Sequence, residues 1–373
     1  LGTTFGVGLA FGPIVAGALT GAFGWRAVFL SAAVVGALAV IFGGSHLKES
    51  RDPDAVGFDW PGAAAFTAAL TLFTCGIIQG PTLGWTSPLI AVLLMGSVAT
   101  MIAFVAIEKY SARPMLDLSL FRYARFVGVQ MLPIATCYCY VVLLVVLPLR
   151  FIGIEQHSEF EAGLMMLALS APMLLVPFGA ALLTRWISAG LLSSAGLFIA
   201  AGGLIWLGQV DPGSDVSAYV APMLMTGVGT GFPWGLMDGL SVSVVPKERA
   251  GMATGIFSTT RVAGEGIALA IVSAFLSILV MAQLASLLPD AAQTERTAAA
   301  LRLATGDAGP VFALAGPAGR AALEVSYGHA FTQLLNILAG ITALSALVVL
   351  VLFRNSTTEA VSSEPARKGL SVQ

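Results

Sequence analysis

Three fully charged side chains lie within long apolar stretches of the sequence, and their types and spacing suit moving a proton or holding a cation. Asp238 falls in the stretch 217–245; Arg261 and Glu265 fall in the stretch 251–285. Charges inside a membrane are costly and mark pathways, relays or ligand sites. Arg261 and Glu265 are four residues apart, so on a helix they share a face. They can pair as a salt bridge that the membrane merely tolerates, or they can line a hydrated path. On the second reading, burial disfavours the charged carboxylate while the guanidinium favours it. Such opposed pressures let a carboxylate take up and release a proton near neutral pH. Asp238 has no charged partner on its own helix, and Trp234 lies one turn before it. An aromatic face beside a carboxylate suits an amphipathic cation; a hydrogen bond to a neighbouring helix end near the cytoplasm is the alternative. His46, His157 and His329 are scattered, each in or beside a loop. No metal site, no catalytic constellation and no enzyme is therefore expected. No phosphate-binding glycine loop is present, which argues against direct drive by ATP.

The elements that position these groups follow from composition. Of 373 residues, 57% are hydrophobic and only 10% charged, with 42 glycines and a net charge of −2. Ordinary globular chains carry roughly 25% charged residues, so lipid is the solvent for most of this chain. The charge balance excludes a basic nucleic-acid footprint. Cys75, Cys137 and Cys139 all lie in apolar stretches, so no disulfide framework is implied. The chain opens on Leu1 inside an apolar, glycine-rich stretch with no basic n-region. It reads as an N-terminally incomplete piece of a longer protein.

Ten stretches reach bilayer length, about 20 residues each: 1–23, 25–44, 59–80, 86–107, 126–149, 160–184, 188–208, 217–245, 251–285 and 328–353. Their backbone groups must be satisfied within each segment, which predicts helices and an all-α polytopic membrane protein. With the first span starting on the cytoplasmic side, 12 Lys and Arg residues fall inside and 5 outside. Both ends of the chain are then cytoplasmic. Residues 109–125 form a basic connector, residues 287–327 an Ala-rich external loop with room for one surface helix, and residues 354–373 a polar, disordered tail. In the span 217–245, Gly227, Gly231, Gly235 and Gly239 recur every four residues, a ridge that lets another helix approach. Pro233 should bend that helix.

The run Gly8-x-x-x-Gly12-Pro13-x-x-Ala16-Gly17 resembles the antiporter motif on the fifth helix of drug:proton antiporters of the major facilitator superfamily, with Ala16 in place of a glycine. Gly24-Trp25-Arg26-x-x-Phe29 is similar to the turn that follows it. Phe58-Asp59-Trp60-Pro61-Gly62, Gly84-Trp85 and Arg113-Pro114-Met115-Leu116-Asp117-Leu118-x-Leu120-Phe121 resemble the 14-span, EmrB/QacA-like branch. So do Glu161-Ala162-Gly163, Pro246-x-x-x-Ala250-Gly251-x-Ala253-x-Gly255 and Arg261-x-x-Gly264. The resemblance implies a partial major facilitator fold: residues 1–44 as the last two helices of the N-terminal bundle, 45–125 as two linker helices with their connectors, and 126–353 as the C-terminal six-helix bundle. Thr184, before Arg185, stands where many relatives have Asp, and Glu265 where many have glycine. The resemblance further implies a central cavity to which Gln130, Tyr138, Tyr140 and Trp234 contribute, with Asp238, Arg261 and Glu265 as proton or cation sites. Gly8, Gly12, Pro13 and Gly17 would govern packing of the fifth helix. The implied function is proton-coupled efflux of small amphipathic organic compounds across the cytoplasmic membrane. No cofactor is implied beyond the proton gradient. The implied partners are the substrate and the bilayer, with a periplasmic adaptor in a double-membraned bacterium. An exporter of a dedicated metabolite or siderophore, or an inactive truncated fragment, are the alternatives.

Overall fold

Long apolar runs in lipid have one economical solution for their backbone polar groups, the helix, and helices dominate the computed structural model. It describes residues 2–46, 59–111, 116, 118–245, 250–287 and 292–362. In chain order these form α1 (Gly2–Phe23), α2 (Arg26–His46), α3 (Trp60–Leu83), α4 (Pro88–Tyr110), α5 (Ala124–Thr136), α6 (Val142–Pro148), α7 (Glu159–Ser170), α8 (Pro172–Leu183), α9 (Ala189–Gly208), α10 (Val216–Ser243), α11 (Ala250–Leu287), α12 (Gln293–Ala304) and α13 (Gly309–Ser362). There is no strand among the described residues. Eight helical segments are long and apolar enough to cross a membrane. The other two expected spans are also helical: α1, with a shorter apolar stretch at Phe11–Phe23, and α10. Phe58, Arg113, Pro114, Met115, Asp117 and Pro246 lie outside the described residues, as do Lys48, Arg51, Lys247, Arg249, Arg367 and Lys368.

Local chemistry sets the ends and the breaks. Asp59 caps α3 by accepting the Gly62 N–H at 3.0 Å, and Ser158 and Glu161 form a reciprocal capping box on α7. Gly24 and Gly84 adopt φ of 78° and 86° at the turns after α1 and α3, a backbone region open to glycine. The expected span 126–149 is longer than the sequence reading has it. It runs from α5 through a π-helical stretch (Cys137–Val141), α6 and a second π stretch (Leu149–Ile154). Each π stretch follows a proline, Pro133 or Pro148, whose missing N–H interrupts the i→i−4 ladder. The expected span 160–184 breaks at Ala171, ahead of Pro172, into α7 and α8.

Two boundaries differ from expectation at the far end of the chain. The stretch 287–327, expected to be a loop with room for a surface helix, contains α12, whose Ala300, Leu303 and Ala304 are buried in the core, and α13 already begins at Gly309 and runs unbroken for 54 residues. The helix also continues past Arg354 to Ser362, where a disordered tail is expected; residues 363–373 lie outside the described residues. Alanine-rich sequence propagates helix well, which accounts for the early start of α13.

Burial concentrates in one cluster formed by the α5–α6 segment, α7, α9, α10, α11 and α13. Helix α10 lies at its centre because glycines flank it on two sides. Gly227 meets the Leu169 carbonyl of α7, while Gly231 and Gly235 meet Val176 and Pro177 of α8. Gly229 meets Gly196 and Ala200 of α9, and Gly239, the last of the expected ridge, meets nothing within 4 Å. Helices α3 and α4 pack on each other, with α3 also against α11; α1 packs on α7 and α8, and α2 touches the rest through α1.

Candidate functional site

The π stretch after α5 turns Tyr140 inward, where it is fully buried, and its ring lies 6.2 Å from that of Trp234 on α10. Arg261 of α11 also reaches Trp234, its guanidinium 5.8 Å from the ring centroid, within cation–π range. The same guanidinium meets Asp238 Oδ1 at 3.5 Å. Asp238 sits one turn past Trp234, so the α10 face that carries the tryptophan also carries the carboxylate. This cross-helix pair, 23 positions apart in the sequence, differs from the same-helix Arg261–Glu265 pairing that spacing suggests. Glu265 remains within the electrostatic reach of Arg261, and Cys137 within that of both.

Exposure separates the members. The Asp238 side chain is 72% exposed and that of Arg261 26%, so the pair lies on an open face and is not sealed in the core. Tyr138, beside Tyr140, is half-buried. Gln130 on α5 is buried, and neither its amide oxygen nor its nitrogen has a hydrogen-bond partner among the described residues; the Tyr140 hydroxyl is in the same condition. Buried polar atoms are normally satisfied, so these two side chains stand out within the core. No group of three metal-ligating side chains occurs among the described residues.

The Gly8–Gly17 motif lies elsewhere, where α1 crosses α7. A methyl group on Gly17 would collide with the Glu159 carbonyl, and one on Gly163 would come within 2.8 Å of the Pro13 carbonyl. Gly8 and Gly12 face open space.

A second polar site escapes the sequence reading. Arg150, expected in an outer loop, is 1% exposed and pairs with the equally buried Glu155 at 2.7 Å. Its Nη2 donates to the Val210 carbonyl at 2.8 Å and to the Tyr219 hydroxyl at 2.9 Å. Tyr219 in turn donates to Glu155 Oε1 at 2.8 Å. The guanidinium also lies over Phe331 of α13, 4.7 Å from the ring centroid. One ion pair thus joins the second π stretch, the α9–α10 turn, α10 and α13. The signal for it was an arginine between Leu149 and Phe151-Ile152, followed five residues later by Glu155.

A sequence model described as Major Facilitator Superfamily matches residues 1–269, well over half of the chain. The chain belongs to the major facilitator superfamily. Among curated proteins, the multidrug resistance protein Stp of Mycobacterium tuberculosis is 30% identical over 272 residues, covering 73% of this chain and 50% of Stp. The drug efflux pump JefA of the same organism is 29% identical, covering 76% of this chain and 55% of its own length. The cephamycin export protein CmcT of Amycolatopsis lactamdurans is 29% identical, with coverages of 71% and 56%. The chain spans about half the length of the curated relatives it matches. This major facilitator chain is an all-α, integral, multi-pass membrane protein.

Proposed function

We propose that this major facilitator chain exports small amphipathic organic compounds across the cytoplasmic membrane by proton antiport, with its C-terminus in the cytoplasm. The observation that carries the reading is the Asp238–Arg261 pair on an open face beside Trp234 and Tyr140. The names of Stp, JefA and CmcT, a multidrug resistance protein, a drug efflux pump and an export protein, point the same way. The excess of Lys and Arg on one side supports the orientation.

Physically, a proton on Asp238 removes the negative partner of Arg261 and loosens the tie between α10 and α11. An amphipathic cation uses the same carboxylate, with its apolar part on Trp234. Proton and substrate then stabilise different arrangements, which is what exchange across the membrane requires. Glu265, one turn beyond Arg261, is a second protonation site in the same field. Rocking about a site between helices converts this competition into alternating access.

The test is dye efflux in energised everted vesicles carrying Asp238→Asn, Glu265→Gln or the parent. Loss of proton-driven movement in either variant, with the protein still inserted, supports a coupling role. Transport equal to the parent removes that residue from it. Export of one dedicated metabolite is the second reading, favoured by the name of CmcT. A competition panel separates the two: a multidrug exporter is inhibited by many unrelated amphipathic cations, a dedicated one by a single scaffold.

A further inference from the structure

Away from the Asp238–Arg261 site, at the end of the C-terminal bundle where α5 and α9 begin and α10 and α13 leave the bundle, lies a cavity of about 410 Å³. That volume falls within the roughly 300–1,000 Å³ typical of small-molecule sites. Arg125, before the first full turn of α5, and Arg354, near the exit of α13, both line it. Neither guanidinium has an ion pair or hydrogen bond among the described residues, and no carboxylate lines the cavity. Two cations facing one space repel each other unless an anion lies between them.

The rest of the wall has two characters. Ser188 and Ser243 contribute hydroxyls. The first residues of α9, Ala189 and Gly190, also line the cavity; their N–H groups have no acceptor within the helix, and Ser188 Oγ accepts instead from the N–H of Leu191 at 3.4 Å. The remaining lining is apolar and includes Leu240, Val244, Leu350 and Phe353. That ring lodges against Gly128 and Gly190, where a methyl group would come within 2.8 and 2.6 Å of it.

From the cavity and its two unpaired guanidinium groups we infer that this is a binding site for a phosphate-bearing anion, seated between Arg125 and Arg354, and that its occupant is the headgroup of an acidic phospholipid. The apolar wall beside the basic part matches a lipid, whose acyl chains begin next to the phosphate; a free phosphate has no use for it. Basic pockets between membrane helices on the cytoplasmic side take acidic headgroups. The site is independent of the transport reading, since nothing in it depends on Asp238 or on proton coupling.

The experiment is native mass spectrometry of the purified chain titrated with phosphatidylglycerol, with phosphatidylcholine as comparison, for the parent, Arg125→Gln/Arg354→Gln and Arg185→Gln. The parent should hold phosphatidylglycerol in preference to phosphatidylcholine. The double variant should weaken that binding roughly thirtyfold, and Arg185→Gln, outside the cavity, should bind as the parent does. Inorganic phosphate is the second arm: failure to displace the lipid identifies the headgroup as occupant, while displacement at millimolar concentration assigns the site to soluble phosphate and overturns the lipid assignment. Equal retention of the two lipids by the parent overturns the proposal without any variant, so a misfolded double variant does not rescue it. Undiminished binding in a helical double variant, or equal loss in Arg185→Gln, also overturns it.

Discussion

Removing one partner of the Arg150–Glu155 pair should cost far more than removing both. Both side chains are 1% exposed, so Glu155→Leu leaves a guanidinium in a dry site with only the Val210 carbonyl and Tyr219 hydroxyl as partners. Breaking a buried pair from one side costs about 3–5 kcal/mol, and Arg150→Met, which leaves the buried carboxylate with the Tyr219 hydroxyl and His157 3.7 Å away, should fall in the same range. In Arg150→Met/Glu155→Leu no charge is left. The remaining penalty is then the unsatisfied Val210 carbonyl, about 1–3 kcal/mol. The single effects therefore fail to add, with a coupling of about 3 kcal/mol or more. The assay is unfolding in mixed detergent micelles titrated with dodecyl sulfate, followed by far-ultraviolet circular dichroism. Single variants each within about 1 kcal/mol of the parent, or a double variant at the sum of the singles, would refute the reasoning, because surface ion pairs behave that way.

Tyr219→Phe keeps the ring under Arg150 but deletes the hydroxyl that bridges it to Glu155, and should lower stability by about 1–2 kcal/mol in the same titration. Gly17→Ala should destabilise by about 1–3 kcal/mol through overpacking against the Glu159 carbonyl, whereas Gly12→Ala, which meets open space, should stay within about 0.5 kcal/mol of the parent; thermal unfolding of the two variants side by side checks the contrast. Exchanging the charges in Asp238→Arg/Arg261→Asp should restore part of the stability that Asp238→Arg alone loses, measured by the same unfolding method; no restoration would mean that the 3.5 Å pair contributes nothing.

The spans were legible because apolar length is a one-dimensional property. The same is true of the glycine ridge on α10: three of its four members meet α7 or α8, as a spacing of four predicts for one helix face. What stayed hidden depends on packing. The pairing of Arg261 with Asp238 needs α10 and α11 side by side, and local spacing offered only Glu265. A span that ends at residue 149 leaves Arg150 in a loop; the π stretch Leu149–Ile154 carries the helix five residues further, and Arg150 is buried within it. Proline positions marked where the ladder would fail, but not that a π stretch would follow. The Phe353 wall of the basic cavity was invisible for a similar reason, since Gly128, Gly190 and Phe353 are brought together only when α5, α9 and α13 meet.

The central claim is exchange of a proton for an organic compound at the Asp238–Arg261 site. The most direct measurement is substrate movement in proteoliposomes of the purified protein under an imposed pH gradient, with internal pH recorded at the same time. An amphipathic cation should move against its own gradient only while protons flow the other way, and Asp238→Asn should abolish both fluxes together. Substrate movement that is indifferent to the gradient, or fluxes in Asp238→Asn equal to those of the parent, would contradict it.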